Sequence, residues 1–338
     1  MASTDPPDVR TDAPRRGPSA DGARRGAPRT VPLPGLTLAV RSLPGGPGVP
    51  SSRGTPPALY VHGLGGSSLN WLALMAELGG DVDGEAVDLP GFGYSPPPQD
   101  GDYSVSGHAR AVVRYLDAAG RGPVHLFGNS LGGAVATRVA AQRPDLVRSL
   151  TLVSPALPEL RPQRTALPTA LLALPGVVHG YRRLTRDWTA ERRTRAVLSL
   201  CYGDPSKVPE EHLAEAVAEY ERRLALPHFW DSLARSARGV VDAYTVGGQH
   251  GLWRQAQRVL APTLLVYGGR DKLVSARMAR KAGRAFRDSR VLTLPDAGHV
   301  AMMEYPREVA AAVRRLLAEA DGAPPPPGAR PAEPGSGS

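Results

Sequence analysis

Cysteine is nearly absent from this 338-residue chain: there is one, Cys201, which has no partner for an intramolecular disulfide. Such usage suits a reducing compartment, and the expectation is a cytoplasmic protein. No cysteine and histidine pair has the spacing of a zinc site, so no structural metal is expected. Long apolar runs are missing too. The longest, Ala166 to Val178, is 13 residues and is interrupted by Pro168 and Pro175, short of the roughly 20 that a membrane-spanning helix needs. The arginine pairs Arg15-Arg16 and Arg24-Arg25 would suit a twin-arginine signal, but no apolar segment follows them.

Lysine is also scarce. Of 41 basic residues only Lys207, Lys272 and Lys281 are lysine, and aromatic residues make up 5%. The formal charge of +9 would suit nucleic acid, but the arginines are spread along the chain without an aromatic-interleaved patch, so no nucleic-acid partner is expected. Neither glycine cluster spells the G-x-G-x-x-G of a dinucleotide site, and no cofactor is expected.

What remains is an ordinary globular composition, 41% hydrophobic and 22% charged, able to bury a core. Its ends differ. Residues 1–30 hold six arginines, four aspartates and five prolines, and residues 322–338 hold six prolines and four glycines. Neither segment can offset the entropy of ordering, and both are expected to be disordered tails. Between them, Val31 to Val40 alternates around Pro34-Gly35 as a hairpin does. Short apolar runs follow at Ala58 to Val61, Ala86 to Asp88, Val124 to Phe127, Leu150 to Val153, Thr263 to Tyr267 and Val291 to Leu294. Helical periods lie between most of them. This alternation predicts an α/β fold, a mostly parallel sheet flanked by helices. The core is expected over 31–155 and 256–321. Residues 156–255 carry only helical patterns, too long for a loop, and read as a helical cap.

The segment Val124-His-Leu-Phe-Gly-Asn-Ser-Leu-Gly-Gly133 places G-x-S-x-G where a buried strand meets a helix. There Ser130 must occupy a sharp turn that lifts its hydroxyl clear of the sheet. Gly128 and Gly132 are needed because a side chain would strike neighbouring backbone. Helix onset at Leu131 aims an amide and the positive end of the helix dipole at the space above Ser130.

In these features the chain resembles the capped α/β-hydrolases, a group with many esterases and lipase-like enzymes. The resemblance covers nearly all of residues 31–320. It implies a carboxylate and then a histidine after the serine. Asp271 follows the strand ending in Tyr267, and His299 follows the strand ending at Leu294. Asp296, on the histidine's own loop, is the nearest rival to Asp271. A serine needs a neutral imidazole to take its proton, and the imidazole needs a carboxylate to orient it. By the same resemblance, His62-Gly63-Leu64-Gly65-Gly66 is an oxyanion loop in which the amide of Leu64 joins that of Leu131. His62 would shape that loop, Asp88 would accept backbone amides in its own, and Ser95 would be no second nucleophile.

A serine at the elbow suits an acyl-enzyme, unlike the aspartate of dehalogenase-like relatives. The expected activity is therefore carboxylic ester hydrolysis through Ser130, Asp271 and His299, acting on a small ester-like molecule. Carbon–carbon bond hydrolysis on the same fold, or a ligand receptor with degraded catalysis, are the alternatives. Trp188, Phe229, Trp230 and Trp253 are candidates either for a pocket lining or for packing within the cap.

Overall fold

A computed structural model describes residues 27–43, 55–159, 161–245 and 250–322. The remainder of the two expected tails, 1–26 and 323–338, lies outside them. Eight strands form one sheet: β1 (Arg29–Leu33), β2 (Leu36–Ser42), β3 (Pro57–Val61), β4 (Asp83–Asp88), β5 (Val124–Asn129), β6 (Val147–Val153), β7 (Thr263–Gly268) and β8 (Ser289–Leu294). Their order is β1-β2-β4-β3-β5-β6-β7-β8. β2 runs antiparallel to β1 and β4, and the strands from β4 to β8 are mutually parallel.

The first strand begins two residues inside the segment expected to be a tail. Arg29 reaches Glu85 at 2.7 Å and the Tyr115 hydroxyl at 2.9 Å. This long-range anchor cannot be read from a tail's composition.

β5 is buried along its whole length, as a strand covered on both faces must be. One face of the sheet is covered by α2 (Val105–Ala119), α3 (Leu131–Gln142), α9 (Leu252–Ala256) and α10 (Met278–Ala285). The other carries α1 (Leu72–Glu77), α11 (Ala301–Glu304) and α12 (Pro306–Asp321). Alternation divides β3 between the two cores: Leu59 and Val61 join the first, Ala58 and Tyr60 the second. Helix α2 starts where Ser104 accepts the amide of Gly107 at 3.0 Å and ends at Gly120 in the left-handed region. Helix α3 is buried from Leu131 to Ala140, and its small residues let it lie close to β5.

Between β6 and β7 the described residues form helices and turns without a strand. These are α4 (Leu167–Leu171), α5 (Val177–Leu184), α6 (Ala190–Cys201), α7 (Glu210–Leu224) and α8 (Phe229–Thr245), followed by α9. Helix α8 rests on the core, with Ser232 bonded to the Tyr103 hydroxyl at 3.0 Å and Ser236 to His108 at 3.1 Å. At the two ends of residues 156–255, Ala156 and Leu157 are buried with the sheet, as is Leu252, next to Ala256 of the expected core. On α4 and α5, Leu167, Leu171 and Leu184 are exposed. Among the described residues no helix is long and apolar enough to cross a membrane.

Candidate active site

Parallel strands bring the loops at their C-terminal ends to one edge of the sheet, and the candidate residues sit there. Val61 pairs with Gly128, Asn129 with Val153 and Gly268 with Leu294. The loops after β3, β5, β7 and β8 therefore leave the sheet side by side.

Ser130 stands between β5 and α3 at φ 53 and ψ −117, a conformation that costs a non-glycine residue about 1–3 kcal/mol. Several bonds hold it there. Its amide donates to Val153 O at 3.1 Å, and its carbonyl accepts from Gly133 at 2.9 Å and from Ala156 at 2.9 Å. The glycines leave no room for a side chain: a Cβ on Gly132 would lie 2.2 Å from Val61 O, and one on Gly128 would lie 2.4 Å from Gly132 O. Leu131 opens α3, where helix amides point outward without partners in their own helix.

Asp271 and His299 meet. The imidazole Nδ1 lies 3.0 Å from Oδ2 and 3.2 Å from Oδ1 of the carboxylate, and both side chains are buried. Asp271 Oδ1 also accepts the amides of Leu273 at 2.8 Å and Val274 at 2.9 Å. Burial pushes this carboxyl up, but His299 and the two amides outweigh it and hold the group below its ordinary value, as a carboxylate. Asp296, the rival, is exposed and pairs with Arg270 at 2.6 Å.

The backbone of His299 is gripped from two sides. Its amide donates to Cys201 O at 2.7 Å, and its carbonyl accepts from Asn129 Nδ2 at 3.1 Å. Asn129, beside Ser130, thereby joins the elbow to the histidine loop.

The loop after β3 approaches the elbow closely. A Cβ on Gly63 would lie 3.1 Å from Ser130 Cβ, so the residue before Leu64 lies against the serine. His62 is fully buried and accepts the amide of Leu89 on Nε2 at 2.9 Å. Its Nδ1 therefore carries the proton and donates to Gly63 O at 2.7 Å. Burial lowers its pKa to about 4, so the ring is neutral and braces the loop. Asp88 accepts the amides of Ser68 at 2.6 Å and Tyr94 at 2.9 Å. Ser95 donates to Asp88 O at 2.6 Å and accepts from Ala39 at 2.8 Å, contacts of a strut and not of a nucleophile.

Side chains of the helical segment reach the loops after β3 and β7, and sequence reasoning missed them. Gln163 donates to Asp271 O at 2.8 Å. Arg223 of α7 donates to Gly65 O at 2.6 Å and to Ser67 Oγ at 2.9 Å, with Glu219 beside it at 2.8 Å. No sequence signal separates Arg223 from the other arginines nearby. The aromatic candidates divide: Trp230 packs against Tyr181, Phe229 and the Arg193 guanidinium, and Trp188 lies under Arg192. Trp253 is held on the core side by Pro158 O and Lys281. Among the described residues no cluster of three or more histidine, cysteine or acidic side chains could hold a metal.

Comparison with known proteins accords with this architecture. A family model of the alpha/beta hydrolase fold matches residues 56–306. Over 303 residues the chain is 32% identical to the dihydrolipoyllysine-residue acetyltransferase component of the acetoin cleaving system of Pseudomonas putida, spanning 86% of this chain and 69% of that protein. It is 29% identical to an esterase of Mycobacterium tuberculosis over 78% of this chain and 83% of that one. The crystal structure of a membrane phospholipase A described as a bacterial virulence factor superposes with a TM-score of 0.73 at 25% identity, covering 90% of this chain and 91% of that one. The chain belongs to the α/β-hydrolase fold family.

Proposed function

We propose that this protein is a serine hydrolase that cleaves carboxylic esters through an acyl-enzyme. The observation that carries the reading is the Asp271–His299 pair, whose histidine carbonyl is bonded to the side chain of Asn129, the residue next to the strained Ser130. The esterase and phospholipase names of two relatives agree with it.

Asp271 keeps the Nδ1 proton of His299 in place, so that Nε2 is the basic nitrogen. His299 takes the proton of Ser130 Oγ as this oxygen attacks the ester carbonyl. The oxyanion that develops is stabilised by the amides of Leu64 and Leu131, at the loop after β3 and the first turn of α3. The alcohol leaves with the proton held by His299, and the acyl group remains on Ser130. A water, deprotonated by the same imidazole, then releases the acid. The helices between β6 and β7 act as a cap that chooses the acyl or alcohol part.

The P. putida relative is named for acetyl transfer, and the acyl-enzyme is where transfer and hydrolysis diverge. Carbon–carbon hydrolysis would use the same three residues. Release of p-nitrophenol from short acyl esters, with and without added thiol or alcohol acceptors, separates these readings.

Ser130→Ala is expected to fold, to lose fluorophosphonate labelling and to lower turnover by several orders of magnitude, since such residues act as a unit. Labelling of that variant at the wild-type rate would remove Ser130 as nucleophile.

A further inference from the structure

The histidine loop has a second support outside the Ser130, Asp271 and His299 constellation. Glu304 closes α11, the short helix that follows His299. One of its carboxylate oxygens accepts the amide of Gly298 at 2.7 Å. The other accepts the amide of Gly203 at 2.8 Å, from the turn that leaves α6. One half-buried carboxylate thus spans two backbone amides, one beside the candidate base and one from the helical segment.

The two backbones it joins are already in contact. A Cβ on Gly298 would lie 2.4 Å from Cys201 O and 2.4 Å from Gly203 N, and one on Gly203 would lie 2.2 Å from Asp296 O. On the far side, Gly268 at the end of β7 would meet Gly298 O at 2.1 Å if it carried a Cβ. His299 itself donates its amide to Cys201 O. Cys201 and Tyr202 pack against the apolar core that α11 and α12 share, so this end of α6 is bound to the core.

We infer that Glu304 is a positioning residue for His299, acting by clamping Gly298 to the Gly203 turn of the helical segment. A carboxylate bonded to amide donors makes hydrogen bonds roughly twice as strong as neutral ones. Removing the clamp leaves the Cys201 and Asn129 bonds to His299 but releases the residue preceding it. Displacement of a catalytic group by about 1 Å can cost a hundredfold in rate. The inference rests on the proposed role of His299 as the base. It assigns to the helical segment a part in assembling that base, in addition to choosing substrate.

The experiment is a double-mutant cycle on a p-nitrophenyl ester, using Glu304→Gln and Glu304→Asp, each alone and in a His299→Ala background. Glutamine keeps one acceptor oxygen and presents donors to the second amide; aspartate keeps the charge but is too short to span both. For each single variant, kcat is expected to fall about 10-fold or more, with KM changed less than about twofold and fluorophosphonate labelling of Ser130 slowed in parallel. In the His299→Ala background the same substitution is expected to change residual activity less than about twofold, because a residue acting through the imidazole has nothing left to position. A variant with wild-type kcat would overturn the inference, as would an equal loss in both backgrounds. A His299→Ala variant with full activity would instead overturn the proposed base, so the two failures are distinguishable.

Discussion

Asn129 donates its side-chain amide to the main-chain carbonyl of His299 at 3.1 Å, and to Val153 O at 3.0 Å. One side chain thereby ties the ends of β5 and β6 to the loop after β8. The serine elbow and the histidine loop have a common reference point that does not depend on substrate. The proposed reaction needs this, because a hydroxyl and an imidazole exchange a proton only within hydrogen-bond reach.

The closeness of the elbow to the loop after β3 makes Gly132 intolerant of any side chain. In Gly132→Ala the new methyl would press on Val61 O and His62 O, which are backbone and cannot rotate away. We expect a loss of about 1–3 kcal/mol in urea unfolding, together with loss of ester turnover. Wild-type stability in that variant would contradict the packing described for the elbow.

Arg223 should influence rate more than affinity. Its guanidinium fixes Gly65 O and Ser67 Oγ, on the loop that carries the Leu64 amide. Arg223→Met keeps much of the apolar stem but removes the donors. The expected result is a fall in kcat of about tenfold, less than that for removing an oxyanion donor outright. Steady-state kinetics showing only a raised KM would assign Arg223 to substrate binding instead.

Three buried histidines predict how stability depends on pH. Burial lowers His62 and His125 to about 4 and His108 to about 3. In the unfolded chain a histidine takes up its proton near about 6.5. Between that value and the folded pKa the unfolded state binds more protons, so stability falls as pH falls and levels off below the folded values. At pH 5 each histidine costs up to about 2 kcal/mol. Calorimetric Tm values at pH 7 and pH 5 measure the drop, and His125→Gln should make it smaller. An unchanged drop in that variant would mean that His125 is not held neutral.

Trp230 touches Tyr181, Phe229 and Arg193, all within the helical segment. Trp230→Ala is therefore expected to lower stability by about 2 kcal/mol. Activities toward short and long acyl esters should decline together. A changed ratio of short-chain to long-chain kcat/KM would instead give the indole a place in the substrate pocket.

What the sequence by itself determined is local. The buried run Val124 to Phe127, the glycines around Ser130 and the short strands before Asp271 and His299 each follow from rules that act over a few residues. Steric exclusion at Gly128, where a Cβ would meet Gly132 O, is such a rule, and so is alternation in the Val31 to Val40 hairpin. Only the tertiary structure decided which distant groups meet these sites. Glu304 and Gly203 are 101 positions apart, and Arg223 and Gly65 are 158 apart. Helical periodicity marks a face of α7 as polar or apolar without saying which loop lies against it. A single long charged side chain leaves no periodic trace, so nothing in the sequence marks Arg223 or Glu304 as a support for these loops. Arg29 was read as part of a tail for the same reason, its partners Glu85 and Tyr115 lying in β4 and α2.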